Sequence, residues 1–328
     1  MTVLCDSWQR QINYLRISVT DRCNLNCIYC SEGDLSTQAR LRSENLTYEE
    51  INRIVEVAAT LGITKVRLTG GEPLVRSDLN RLVGMLSGIK GIDDIALTTN
   101  GMLLGQYATE LKKAGLKRVN VSLDTLQADK FKRIAGSDNL KNVLAGIEAA
   151  RTTGLNPVKI NMVVLRGIND DEIIDFARLT IDRGWHIRFI EFMPLGKLKN
   201  EVGEMVSGEQ IRERIQKLGP LEPDTGKGGD GPARYYRFTG AEGTIGFISP
   251  MTQHFCHSCN RLRLTADGQL RPCLLDDDEV DLRAALRNGA KTEELTELIR
   301  RAVALKQEEH HLDKGIGPAK RSMRGIGG

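Results

Sequence analysis

The sequence predicts an α/β fold: an incomplete (βα)6 barrel followed by a smaller α+β extension. Three observations predict it. Six strand-like runs alternate with helix-like runs over the first two hundred residues, which implies a parallel sheet, since each strand needs a crossover before the next begins in the same direction. The strands carry polar residues on one face: Arg16, Ser18 and Thr20; Lys65, Arg67 and Thr69; Thr98 and Asn100; Asn120 and Ser122; Lys159 and Asn161. A flat sheet covered by helices on both faces reads instead as continuous apolar runs, whereas a barrel with a polar interior near its strand C-termini needs this alternation. After Met193 the texture changes to loops and short strands.

In order, the strand-like run Tyr14–Thr20 enters a cysteine-rich loop, and Thr47-Tyr-Glu-Glu50 then opens a helix as a capping box, with Ile51, Ile54, Val55 and Ala58 at helical spacing and Gly62 as its stop. Next come Thr64–Thr69 and a helix from about Ser77, Asp94–Asn100 and a helix over Leu103–Ala114, and Lys117–Leu123 with helices over Ala128–Thr152. Val158–Leu165, a helix over Asp170–Arg183 and His186–Met193 complete the six units. Leu195–Met205 reads as loop, Ser207–Leu218 as helix, and 219–232, rich in Gly and Pro, as loop. Ala233–Phe238 and Gly243–Ile248 are expected to pair, and Asp267-Gly268 marks a hairpin. Helical stretches at Val280–Asn288 and Thr292–Gln307 precede a glycine-rich basic tail. The expected divisions are an arm over 1–12, the barrel over 13–200, the extension over 201–310 and the tail over 311–328.

Two cysteine triplets organise the chemistry. Cys23, Cys27 and Cys30 stand at CxxxCxxC spacing directly after the first strand, and no histidine precedes His186 to close a zinc tetrahedron. Three thiolates instead suit an iron–sulfur cubane that keeps one iron open; a zinc knuckle or three core cysteines are the plainer readings. Leu68-Thr-Gly-Gly-Glu-Pro73 closes the second strand, where Gly70 and Gly71 allow close backbone approach and Glu72 offers a carboxylate for an ammonium group. Cys256, Cys259 and Cys273 form the second triplet, the hairpin returning Cys273 towards the other two. Nearby His254 and His257 keep zinc in contention. Arg261 and Arg263 share a strand face beside these thiolates, which calls for an anion there, a solvated strand face being the alternative.

Composition narrows the class. With 46 basic and 43 acidic residues among 328, the net charge of +3 does not argue for nucleic acid, and 5% aromatic residues leaves little for base stacking. No run of about 18 apolar residues and no leader pattern is present, so a cytoplasmic protein without a membrane span is expected, in which cysteine triplets bind metal rather than form disulfides. A GxxxxGK[ST] phosphate loop is also missing.

The first triplet, with Tyr29 before its third cysteine, resembles the signature of radical S-adenosylmethionine (SAM) enzymes, and the glycine motif resembles their amino-group site. Across the whole chain, CNLNCIYC, RLTGGEPL, LTTNG, VSLD, RFIEFMPLG, the second cysteine set and the terminal Gly-Gly follow the order of the GTP 3′,8-cyclase family of molybdenum cofactor biosynthesis. One departure follows Cys30, where the family continues Met-Pro and this chain has Ser31-Glu32.

The resemblance implies a TIM-like radical SAM barrel and two [4Fe–4S] clusters, the first held by Cys23, Cys27 and Cys30 with SAM on its open iron. Tyr29, Gly70, Gly71, Glu72, Ser122 and Met193 would then bind SAM. The second cluster, on Cys256, Cys259 and Cys273, would receive the guanine of GTP, with Arg16, Arg67, Thr98, Lys159, Arg261, Leu262 and Arg263 as GTP contacts and Lys65 as a further cation. A 5′-deoxyadenosyl radical would take hydrogen from ribose C3′, which then bonds to guanine C8. A reductant protein, transfer of product to cyclic pyranopterin monophosphate synthase, and a monomer or homodimer complete what is implied. The tail ending Met323-Arg-Gly-Ile-Gly-Gly328 reads as a disordered end by composition, whereas in the family it reaches the active site, where Arg324 would join the polar contacts. The alternatives are another two-cluster radical SAM enzyme acting on a peptide, and a zinc module binding nucleic acid.

Overall fold

The computed structural model describes residues 3–30, 45–195, 205–224, 231–314, 317–318 and 321–327. Ser31-Glu32 and Gly328 lie outside them.

Six parallel strands form the centre: β1 (Tyr14–Ser18), β2 (Lys65–Thr69), β3 (Asp94–Thr99), β4 (Arg118–Ser122), β5 (Val158–Val164) and β6 (His186–Glu191). They lie in consecutive order, each in parallel register with the next. Consecutive order excludes the doubly wound alternative, whose strand order reverses at a switch point. It is consistent with the partial barrel expected from the strand alternation. The crossovers are α1 (Tyr48–Thr60), α2 (Leu79–Ser87), α3 (Leu104–Ala114), α4 (Ala128–Ala135) with α5 (Leu140–Thr152), and α6 (Ile173–Asp182). The capping box forms as the sequence requires: the Glu50 amide donates to Thr47 Oγ1 and the Thr47 amide to Glu50 Oε2.

The extension begins with α7 (Gly208–Ile215) and supplies both flanks of the sheet. β7 (Leu221–Pro223), β8 (Arg234–Phe238) and β9 (Ile245–Ile248) are antiparallel, and β9 joins β6 in parallel. β10 (Arg261–Leu264) lies parallel to β1 on the other side, followed by antiparallel β11 (Gln269–Arg271) and β12 (Val280–Asp281). The sheet is open, ending at β12 and β7. The chain closes with α8 (Leu282–Arg287), α9 (Thr292–Ala304) and the single turn α10 (Met323–Ile326).

Two local expectations are corrected. The stretch 219–232 was expected to be loop throughout, yet Leu221–Pro223 pairs with β8, because Leu221 buries itself opposite Phe238. Val280–Asn288 reads as one helix, but Val280 pairs with Leu270 and Asp281 accepts from the Ala284 amide, capping a helix that begins only at Leu282.

The outer strand face packs on the helices through Leu15, Ile17, Val66, Leu68, Leu97, Val119, Ile160 and Ile187, each buried. At roughly 1.5–3 kcal/mol per buried side chain, this layer fixes which face of every strand turns inward. The inner face is therefore left to the polar residues. No helix among the described residues is long and apolar enough to cross a membrane.

Candidate functional site

The first cysteine loop leaves the C-terminal end of β1 and is suspended between two supports. On one side the Asn26 and Ile28 amides donate to the Ala135 and Ile134 carbonyls at the end of α4. On the other, the Gly71 and Glu72 amides donate to Thr20 and Arg22 carbonyls, both at 2.7 Å. A Cβ on Gly70 would collide with the Thr20 carbonyl and one on Gly71 with that of Arg22, so the close approach that requires these glycines is to the cysteine loop's own backbone. The Leu25 amide donates to Cys23 Sγ at 3.4 Å and Asn100 Nδ2 lies 3.9 Å from it. Burial pushes all three thiols up, Cys27 most strongly, where Asp124 and the other two sulfurs add to it; at Cys30 the Cys23 sulfur adds to it while Arg324 opposes. Three half-buried sulfurs that resist ionisation together form a donor set stabilised by a cation, which fits an iron–sulfur cluster.

The predicted SAM residues divide. The Tyr29 hydroxyl donates to Asp124 Oδ2 at 2.6 Å, and Asp124 Oδ1 accepts from the Val163 amide, tying the loop to the ends of β4 and β5. Burial pushes Asp124 up to about 6 against those hydrogen bonds. Ser122 ends β4 in register with Asn161, and Met193 follows β6 half-buried. Glu72 stands apart: 1% exposed, it accepts from the Leu74 and Asn100 amides and the Thr99 hydroxyl, and burial outweighs these donors to bring it to about 7. Its carboxylate links β2 to β3 instead of facing a ligand.

Inside the sheet the predicted GTP residues form adjacent layers. Arg16 is in register with Arg67 on β2 and Arg263 on β10, while Arg67 Nη1 donates to Thr98 Oγ1 at 3.3 Å. Lys159 donates to the Tyr235 hydroxyl at 2.8 Å. Lys65 shares a layer with Tyr14 and Arg261. Leu262 points the other way, 1% exposed in the core, so only its backbone borders the chamber.

The structure adds Arg188, Tyr14 and Tyr235. Arg188 is in register with Asn161, buried, and its Nε and Nη2 have no hydrogen-bond partner among the described residues. Tyr14 accepts from Arg67 Nε, and the Tyr235 phenol faces both Arg188 and Lys159. Burial pushes both phenols up, yet these cations outweigh it and leave both lowered. Among the described residues no carboxylate forms an ion pair with Arg67, Lys159, Arg188, Arg261 or Arg263, whereas neighbouring Arg118 is paired with Asp94. Burial and mutual repulsion lower Arg16 and Arg263, the latter to about 10. Buried cations that face phenols and a thiol but, among the described residues, no carboxylate make this chamber a receptor for a polyanion.

The second cysteine set lies beside the chamber. Burial alone would raise the Cys259 thiol, but Arg261 and Lys306 bring it down to about 6. Lys306, 5% exposed, reaches the Pro272 and Arg261 carbonyls at 2.8 and 3.1 Å and Cys259 Sγ at 3.9 Å, joining the segments that carry the three cysteines. The Leu275 amide donates to Cys273 Sγ at 3.4 Å. His257 is exposed. His254 and His310 stack at 4.4 Å beside Cys256, with donor atoms of all three within 4.8 Å of one another, but both nitrogens of His310 are engaged with backbone at Pro250 and Leu312. The N-terminal arm braces this site: Arg10 pairs with buried Asp6 and donates to the Cys256, Gln307 and Glu308 carbonyls at 2.6–2.7 Å.

The tail enters the chamber. Arg16, Arg263 and Thr69 reach the Gly327 carbonyl at 3.4, 3.3 and 3.5 Å, and Arg324 donates to the Leu25 carbonyl of the first cysteine loop at 3.0 Å. It therefore touches the surroundings of both cysteine sets.

Sheet, cysteine loop and glycine turn together define a radical SAM protein: residues 17–180 match the Radical SAM superfamily, and residues 185–312 match Molybdenum Cofactor Synthesis C. Proteins named GTP 3′,8-cyclase share most of the chain. That of Pelotomaculum thermopropionicum is 53% identical over 325 residues, covering 98% of this chain and 99% of its own, and that of Moorella thermoacetica is 50% identical over 323 residues with the same coverage. The crystal structure of Streptococcus suis SuiB, at 15% identity, shares the fold with a TM-score of 0.61 over 87% of this chain and 64% of its own. The chain belongs to the GTP 3′,8-cyclase family of radical SAM proteins.

Proposed function

We propose that the protein converts GTP to (8S)-3′,8-cyclo-7,8-dihydroguanosine 5′-triphosphate, the first step of molybdenum cofactor biosynthesis. The observation that carries this reading is the buried cationic chamber between two cysteine triplets, one beside the glycine turn and the other beside Arg261 and Arg263. A triphosphate brings about four negative charges, which Arg16, Arg67, Lys159, Arg188 and Arg263 surround with forked and point-charge contacts. Arg188 offers two nitrogens that no described group of the protein satisfies. A peptide substrate carries no triphosphate and would not call for so many buried cations.

Cys23, Cys27 and Cys30 hold the first [4Fe–4S] cluster, and Cys256, Cys259 and Cys273 hold the second. When bound, the first cluster with SAM supplies a radical able to take hydrogen from ribose C3′. The chain itself positions the reactants. Gly70, Gly71, Tyr29, Ser122 and Met193 line the SAM side, with Asp124 fixing Tyr29 and Glu72 bracing the turn. Arg261 and the Leu262 backbone border the guanine side, and Thr98 with Arg67 steadies the sugar–phosphate between. Burial excludes water and stray hydrogen donors and strengthens every charge contact. Six ligand cysteines that must stay reduced suit the cytoplasm, with a reductant protein as electron source and cyclic pyranopterin monophosphate synthase as recipient of the product. The chain works as a monomer or homodimer.

The test is anaerobic turnover of the reconstituted protein with SAM and reductant, with and without GTP. GTP-dependent 5′-deoxyadenosine with matching GTP loss is expected. Deoxyadenosine formed equally without GTP, and no GTP consumed, would move the substrate elsewhere.

A further inference from the structure

The tail's end is fitted too closely to be a loosely lying segment. Gly327 has φ +71°, and a Cβ there would stand 3.0 Å from both Ser18 Cβ and Thr69 Cγ2. Ile326 beside it is 1% exposed. Such a fit needs the chain to arrive from a fixed direction, and the described residues show what fixes it. Arg321, six positions earlier, makes two forked contacts. Its Nη1 and Nη2 meet Asp267 Oδ1 and Oδ2 at 3.1 and 2.9 Å, and its Nε and Nη2 meet Glu279 Oε1 and Oε2 at 2.6 and 3.1 Å.

Both carboxylates belong to the β10–β11–β12 region that carries Cys273. Asp267 stands in the turn between β10 and β11, where Thr265 Oγ1 also donates to it. Glu279 directly precedes β12 and is shared with Arg271, whose side chain is fully buried. The order Asp267–Arg321–Glu279–Arg271 is a continuous network from hairpin to tail. A lone half-exposed ion pair contributes little to stability, but two bidentate contacts from one guanidinium fix orientation.

We propose that Arg321 is the positioning residue that places the tail's end inside the substrate chamber, by forking between Asp267 in the β10–β11 turn and Glu279 before β12, beside the second cysteine site. Whether that placement matters for turnover rests on the function proposed above; the placement itself does not. Lysine, a point charge, cannot fork to both carboxylates at once.

The experiment compares the full-length holoprotein with its Arg321→Ala and Arg321→Lys variants, each also made without Gly327 and Gly328. Amide exchange is read over 322–327 and GTP turnover in the same preparations. Arg321→Ala should speed exchange in that segment at least about tenfold, leave the hairpin amides unchanged, and lower turnover by about 10–100-fold, with Lys between. In the truncated background Arg321→Ala should lower turnover no further. Unchanged exchange over 322–327, or an equal fold-loss in both backgrounds, overturns the proposal. If the wild-type protein does not turn over GTP, the reading of function falls, and exchange alone still decides the anchor.

Discussion

Arg10 offers the sharpest test of how the second cysteine site is held. Its guanidinium satisfies Asp6, 5% exposed, and the carbonyls of Cys256, Gln307 and Glu308. Arg10→Met keeps most of the stem but removes every one of these donors. Asp6 would retain only the Trp8 and Arg10 amides. Leaving one partner of a buried pair uncompensated costs about 3–5 kcal/mol. Three carbonyls losing a donor add about 1 kcal/mol between them, since water reaches part of this surface. The sum, about 4–6 kcal/mol, is a large share of the roughly 5–15 kcal/mol that stabilises a typical domain. Because one of the freed carbonyls is that of Cys256, the loss falls on the second site first. Denaturant unfolding of the apoprotein should show the reduced stability. Iron analysis after anaerobic reconstitution should fall from about eight to about four atoms per chain. Arg10→Lys should restore the Asp6 pair and part of the stability, without full iron. A wild-type unfolding midpoint together with full iron in Arg10→Met would refute the reasoning.

Lys159→Met should raise the KM for GTP by about 10–100-fold, the equivalent of one charge-assisted contact, and leave GTP-independent SAM cleavage unchanged; an unaltered KM removes Lys159 from the phosphate site. Glu191 accepts from the Gly208, Met251 and Thr252 amides and the Thr252 hydroxyl, so Glu191→Ala should cost about 3–6 kcal/mol in urea unfolding, with Gln milder; a change under 1 kcal/mol would mean these donors find water. Glu72 has its pKa raised by burial from 4.5 to about 7. The folded state thus binds the extra proton, and stability should fall as pH rises between 4.5 and 7, by about 3 kcal/mol, then level off. Glu72→Gln should remove that dependence, and a parallel pH profile in the variant would contradict it.

Much of the chamber was legible because strand alternation is a strong constraint. Once Leu15, Ile17, Val66 and Leu68 commit to the helices, Arg16 and Arg67 must face inward. The same rule applied to His186–Met193 would have found Arg188, since Ile187 and Phe189 are the core residues either side of it. Tyr14 and Tyr235 were harder to read, because a strand tyrosine is ordinary core and only the register discloses the cations beside it. Asp6–Arg10 and Lys306 were out of reach: their partners are backbone carbonyls up to 298 positions away, and backbone carries no sequence signal. Glu72 shows the opposite failure. The motif marked the position, but which way the carboxylate turns depends on amides of the neighbouring strand end.

The extension lends a strand to each flank of the six-stranded core, β9 beside β6 and β10 beside β1. In doing so it covers the hydrogen-bonding rims of β1 and β6, each of which keeps one apolar face. A chain ending near residue 200 would expose two parallel rims at once, each a template for intermolecular pairing. Such a fragment should accumulate as aggregate and not as a soluble half-enzyme. The two matched family regions therefore share one sheet, and removing the second leaves unpaired strand rims on the first.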